Sequence, residues 1–98
     1  MSNRRTWETF EAMRHAATEG DAQAQCYLGV CFQNGQGVTQ DYQEAVKWFR
    51  RAAEQGDSVA QFALGARYAT GEEGPADFAE AARWFIKAAE QGLSLIHI

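Results

Sequence analysis

The chain repeats itself with a period of 36 residues. Residues 21–56 align with residues 57–92 without a gap and are identical at 16 of 36 positions. Residues 9–20 fit the last third of the same unit, because their ending AATEG corresponds to the later ending AAEQG. A period of this length, with two helical patterns in each unit, predicts an all-α solenoid whose units bury their apolar faces by stacking.

Each unit contains two apolar stripes at helical spacing. In the first half, Ala24, Leu28 and Phe32 recur four residues apart, as expected for one face of a helix. The second half carries a tryptophan, a phenylalanine and an Ala-Ala pair on a similar face. The residues that define this repeat signature are Leu28, Gly29, Gly35, Asp41, Ala45, Trp48, Ala52, Ala53 and Gly56, and then Leu64, Gly65, Gly71, Asp77, Ala81, Trp84, Ala88, Ala89 and Gly92.

Capping residues mark where these helices begin and end. Asp41 with Glu44, and Asp77 with Glu80, have the spacing of a capping box, which satisfies backbone N–H groups at a helix start. An aspartate also precedes the first helix of each unit, and glycines of the signature follow the helices where a left-handed residue is favoured. The predicted starts and stops therefore agree with the periodicity.

Two glycines fall inside predicted helices. Gly29 and Gly65 each cost about 1 kcal/mol relative to alanine, so their position requires a compensating contact. We expect them to let a second helix approach closely, with the small Ala-Ala pairs beside Trp48 and Trp84 facing them. A Gly29→Leu change is then expected to overpack the helix pair by roughly 1–3 kcal/mol.

Size, charge and cysteine content narrow the class of protein. Ninety-eight residues with 46% hydrophobic content correspond to one small globular domain. A net charge of −4 without a basic stripe argues against binding to nucleic acid or to an anionic membrane surface. No apolar run approaches the length of a membrane span or signal peptide, and we expect Cys26 and Cys31 to be free thiols. These features predict a cytoplasmic protein.

The residues that could support catalysis are few. His15 stands alone among charged residues, and Ser58 is followed three positions later by Gln61 rather than by the lysine of a serine–lysine motif. Cys26 and Cys31 have no second cysteine pair or histidine at zinc spacing. The sequence therefore predicts no catalytic site, no cofactor and no metal site.

The combined motifs resemble the Sel-one-like repeat (SLR) family, a relative of the tetratricopeptide repeats. The pattern that carries the resemblance is A-x-x-x-L-G-x-x-[FY]-x-x-G, a short loop, and D-x-x-x-A-x-x-W-[FY]-x-x-A-A-x-Q-G. The resemblance implies antiparallel helix pairs wound into a right-handed superhelix, and a role as an adaptor that gathers proteins into complexes. We expect residues 1–92 to form the array, as a half repeat (1–20) and two full repeats (21–56 and 57–92).

The first helix of each pair would line the concave face of such a solenoid, where a protein or peptide partner binds. Equivalent positions on this face differ between the two repeats, whereas the packing positions agree. One alternative is a purely structural spacer or capping segment, and a more remote one is a hydrolase like the cysteine-rich repeat proteins. The predicted face consists of Gln23, Cys26, Tyr27, Val30 and Asn34, followed by Val59, Phe62, Ala63, Ala66 and Thr70.

Residues 93–98, LSLIHI, break the repeat. They replace the aspartate expected after AAEQG, and codons that encode them resemble the transposon mosaic end of sequencing adapters, so we expect a non-native tail. The chain then reads as the N-terminal part of a longer repeat protein. Its last helix carries Trp84, Phe85, Ile86 and Ala89, and part of that surface would be exposed without a following repeat, which predicts self-association through this apolar end.

Overall fold

Five helices form the described part of the chain, residues 9–71 and 76–91, in the computed structural model of the protein. No strand occurs within those two ranges. Each helix packs on the next in chain order, which gives a first helix followed by two antiparallel pairs and confirms the predicted all-α solenoid. The helices are α1 (Phe10–Thr18), α2 (Ala22–Asn34), α3 (Tyr42–Glu54), α4 (Ser58–Thr70) and α5 (Phe78–Glu90).

An aspartate caps each of the four longer helices, as predicted. The Asp41 carboxylate accepts hydrogen bonds from the backbone N–H groups of Gln43 and Glu44. The reciprocal half of the predicted capping box is wrong, however. The Asp41 N–H donates instead to the Phe32 carbonyl at 2.8 Å, and the Glu44 side chain pairs with Lys47. The backbone N–H group that a capping box would use is therefore already bonded to the preceding helix. The same holds at Asp77, whose N–H donates to a carbonyl of α4.

Glycines close the helices in the predicted left-handed conformation. Gly35 and Gly71 are the C-terminal caps of α2 and α4, with φ angles of 73° and 69°. Gly56 follows α3 with a φ of 100°. Such angles are accessible to glycine at little cost because it has no Cβ. Gly92, predicted in the same role, lies outside the described residues.

The core consists of two clusters joined through α2. One lies between α1 and α2 and contains Met13 and Leu28. The other lies among α2, α3, α4 and α5 and is centred on Phe49 and Leu64. Because neither cluster belongs to one helix pair alone, the stacking of successive units completes the core.

Phenylalanine rings explain the two interior glycines. A Cβ on Gly29 would lie 2.7 Å from the Phe49 ring, and one on Gly65 would lie 2.9 Å from the Phe85 ring. The predicted close approach is therefore present. The expected partner was wrong, because the phenylalanine next to each tryptophan, rather than the Ala-Ala pair, covers the glycine.

Candidate interaction surface

The exposed stripe of α2 and its counterpart on α4 form what we call the A-helix face, namely Gln23, Tyr27, Val30 and Asn34, with Val59, Ala63, Ala66 and Thr70. Tyr27 is 47% exposed and Val59 is 56% exposed, although both are large apolar side chains. Val30, Ala63 and Ala66 are half-buried. No residue of the face carries a charge, so its recognition chemistry is that of apolar surface, amides and hydroxyl groups.

Two residues predicted for this face belong elsewhere. Cys26 is only 4% exposed and lies in the core cluster, so it cannot contact a partner. Phe62, at the equivalent position in the second repeat, is half-buried and packs against Phe85, with ring centroids 5.3 Å apart. Sequence spacing placed this position beside the face, but in the second repeat its side chain packs against α5 of the same unit.

The repeated glutamines form a structural ladder. Gln25 donates a hydrogen bond from Nε2 to the Ala17 carbonyl at 3.0 Å, and its Oε1 accepts one from Gln55 Nε2 at 2.8 Å. The same two contacts recur 36 residues later around Gln61, at 3.1 Å and 2.8 Å. Both buried amides are thus satisfied within the fold and tie each first helix to the helices before and after it.

The two tryptophans are packing residues. Trp84 is buried in the larger core cluster, and Trp48 packs against the smaller one. Arg51 lies over the Trp48 ring, with its Cζ 4.8 Å from the centroid, and Lys87 lies over Trp84 at 6.0 Å. Their placement agrees with the structural role that the repeat signature assigns to them.

Two arginine–tyrosine pairs join α3 to α4, and neither pair was predicted from the repeat pattern. The Arg67 Cζ lies 5.5 Å from the centroid of the Tyr42 ring. Arg50 lies over the Tyr68 ring, with its Cζ 5.7 Å from the centroid, and donates a hydrogen bond to the Tyr68 hydroxyl. Cation–π contacts of this kind hold the polar edge of the interface between the two pairs.

The equivalent positions on α5 are apolar and exposed. Phe78 stands where α3 has its tyrosine, and it is 72% exposed. Ile86 stands where α3 has its arginine, and it is 58% exposed. The exposed Ile86 was expected from the sequence, whereas Phe78 was not. The signal for Phe78 lies in the positions at which the two repeats differ, rather than in the residues they share.

Both cysteines are free thiols, as predicted. Burial, with a smaller contribution from the negative charge of Asp57, raises the pKa of the Cys26 thiol from 9.0 to about 12. Burial also raises the pKa of Cys31. Because a thiolate is the reactive form of cysteine, both residues are poor nucleophiles at neutral pH.

The described residues offer no metal-binding cluster. Within residues 9–71 and 76–91, no group of three or more His, Cys, Asp or Glu side chains is arranged to hold a metal ion. His15, considered above as an isolated candidate for catalysis, lies exposed on α1. Among the helices in those same ranges, none has both the length and the apolar character that crossing a membrane requires.

Comparison with known proteins gives the family and the fold. The family model of the Sel1 repeat matches residues 22–57 and 58–93. These matches are offset by one residue from the repeat limits drawn on the sequence. No curated protein matches the chain significantly.

Solved structures give the same result. A Sel1 repeat protein from Oxalobacter formigenes is 37% identical with a TM-score of 0.80, over 86% of this chain and 34% of that one. A protective antigen of uropathogenic Escherichia coli with an SLR fold is 39% identical with a TM-score of 0.83, over 92% and 20%. Cysteine rich protein B from Helicobacter pylori, at 22% identity, has a TM-score of 0.82 over 87% and 64%. This chain therefore spans less than two thirds of each.

Proposed function

Because the chain belongs to the Sel1 repeat family, whose helical repeats generally mediate interactions between proteins, we propose that it is an adaptor module that binds a protein or peptide. The partner docks on the A-helix face, which we place on the concave side of the solenoid. The packing surfaces hold the helices in register, and the exposed stripe provides the contacts that select a partner.

The contrast between packing and exposed positions carries this proposal. Leu28 and Leu64 occupy equivalent positions of the two repeats and are both fully buried. Tyr27 and Ala63 also occupy equivalent positions, but they differ. An exposed aromatic side chain on a rigid helix makes a good anchor, because it contributes a large contact area with few rotatable bonds.

The composition of the face indicates the class of partner. Since the A-helix face carries no charge, it offers no counterion for a terminal carboxylate or a phosphate group. Tyr27 and Val59 provide exposed apolar surface, and Gln23 and Asn34 provide amides at the edge. We therefore propose a partner segment whose apolar side chains pack on this surface and whose backbone bonds with the amides.

Proximity labelling with the protein expressed in its source cells tests this proposal. Tyr27→Ala combined with Val59→Ser is expected to reduce recovery of specific partners at least tenfold, because it removes the two largest exposed contacts. Tyr27→Phe is expected to retain them if the ring is the anchor. Phe62 is left unchanged, because its contact with Phe85 would confound binding with stability.

Glu54→Ala provides the matched control, since Glu54 is exposed on α3, which contributes no residue to this face. Equal recovery of the same partners with the control and the double variant would contradict the proposal. That outcome would favour the alternative, in which the repeats act only as a structural spacer.

A further inference from the structure

The outer face of α5 is an apolar surface that no described helix covers. We define it by Phe78, Ala82, Phe85, Ile86 and Ala89, which recur at the spacing of one helix face. All are exposed except Phe85, which is half-buried. Exposed apolar side chains in a contiguous helical stripe are typical of an interaction site.

The first repeat shows what kind of element covers such a face. On α3, the residues equivalent to Phe85 and Ala89 are Phe49 and Ala53, and both are buried in a core cluster that also contains Leu64 of α4. The covering element is thus a helix that presents the small residues and the leucine of the repeat signature. Within the described residues only α2 and α4 have this pattern, and α4 is already held by α3.

The edge of the interface distinguishes α2 from α4. Where α4 carries the arginine and tyrosine that pair with α3, α2 carries Cys31 and Phe32. If α5 docks on α2 in the way that α3 docks on α4, Phe78 meets Cys31 and Ile86 meets Phe32. Both contacts are apolar, whereas the same docking on α4 would place Phe78 against the Arg67 guanidinium and Ile86 against Tyr68. The exposed face of α5 is therefore complementary to α2.

In a single chain, α1 occupies this side of α2. It has nine residues, against thirteen in α5, and it packs Met13 and Ala17 onto α2. At those two positions α5 has Phe85 and Ala89, so it offers an aromatic ring in place of the methionine side chain. The extra length of α5 adds Phe78. We propose that α5 of one copy docks onto α2 of a second copy, in the place of that copy's α1.

This contact is heterologous, because it joins the α5 end of one copy to the α2 end of the next. Such a contact extends into a series of sizes unless the rotation between copies closes a ring. A solenoid grows by adding units end to end, which favours extension. The proposal uses neither the A-helix face nor any partner bound there, so it stands or fails separately from the proposed function.

Sedimentation velocity over a range of concentrations provides the first test. The average mass of the full chain is expected to rise continuously with concentration. Ile86→Glu is expected to weaken the association at least tenfold, since it buries an unpaired charge against Phe32. Ala79→Glu is the control, because Ala79 is also exposed on α5 and its equivalent, Gln43, remains exposed where α4 is stacked on α3.

A wild-type chain that remains a single copy at high concentration would overturn the proposal, as would equal weakening by the two substitutions. Circular dichroism would establish that Ile86→Glu keeps its helices, which is expected for an exposed side chain.

Hydrogen exchange of α1 provides the second test and identifies the docking mode. If α5 replaces α1, backbone amides in Phe10–Thr18 lose protection as the concentration rises, and this loss disappears in Ile86→Glu. If α1 keeps its protection while the chains associate, α5 contacts another surface, and the proposed replacement of α1 by α5 is wrong.

Discussion

The two full repeats share their signature residues but not their surroundings. Phe49 and Phe85 occupy equivalent positions and both cover a helix-interior glycine, yet Phe49 is completely buried and Phe85 is half-buried. The difference arises because α4 covers the outer face of α3, whereas no described helix covers the outer face of α5. A repeat signature therefore specifies the packing within a helix pair. How much each signature residue contributes to the free energy of unfolding depends on the unit stacked beside it.

Alanine substitution of the two phenylalanines should give the largest contrast. Phe49→Ala is expected to lower the free energy of unfolding by about 3–5 kcal/mol, because it leaves a cavity among tightly packed neighbours. Phe85→Ala is expected to cost about half as much, since stabilisation scales with the apolar area removed from water. Urea denaturation followed by circular dichroism measures both, and equal losses would show that stacking adds little.

The glycines beneath these rings provide a smaller contrast. Gly29→Ala places a methyl group against a fully buried ring, so we expect a net loss of about 1–2 kcal/mol despite the higher helix propensity of alanine. Gly65→Ala is expected to cost less, because the half-buried Phe85 ring can tilt away. The melting temperatures of the two variants compare these losses. A Gly29→Ala variant more stable than the parent would mean that the Phe49 ring moves freely.

The smallest contrast concerns Cys26 and appears only at alkaline pH. The pKa of its thiol is higher in the folded chain than in the unfolded one, so the folded state retains the proton more strongly. This stabilisation is complete below about pH 9 and decreases as the pH rises toward about 12.

Comparison with Cys26→Ala isolates this effect from other alkaline titrations. Between about pH 8 and about pH 10, the parent should lose roughly 1 kcal/mol more stability than the variant. Urea denaturation at each pH, with a reducing agent present, provides the measurement. Parallel pH profiles for the two proteins would rule out a burial-induced shift at this thiol.

Local sequence signals predicted the helices well. Asp41 and Gly35 were identified as the residues that begin and end helices, because each acts through its own backbone neighbourhood. The reciprocal contact from Glu44 was predicted wrongly, since the Asp41 N–H is bonded to a carbonyl of the preceding helix. That competing acceptor is nine residues away in sequence and is brought close only by the folded loop.

The candidate surface was less predictable than the fold. Helical spacing identified Tyr27 and Val59 as outward-facing, and both are exposed. The same reasoning also included Cys26, which is buried in the core cluster that α2 shares with the later helices. Spacing defines the angle of a side chain around its own helix, but it does not state how wide an arc the neighbouring helices cover.

By itself, the sequence determined the repeat period, the helix limits and the residues that must pack within each pair, because these depend on local propensity and on the alternation of small and large side chains. Only the tertiary structure decided which equivalent residues are buried. Phe49 and Phe85 are the same residue in the same local pattern, and they differ because burial depends on the next helix in space. The exposed surfaces available for binding are what remains uncovered after those helices have stacked.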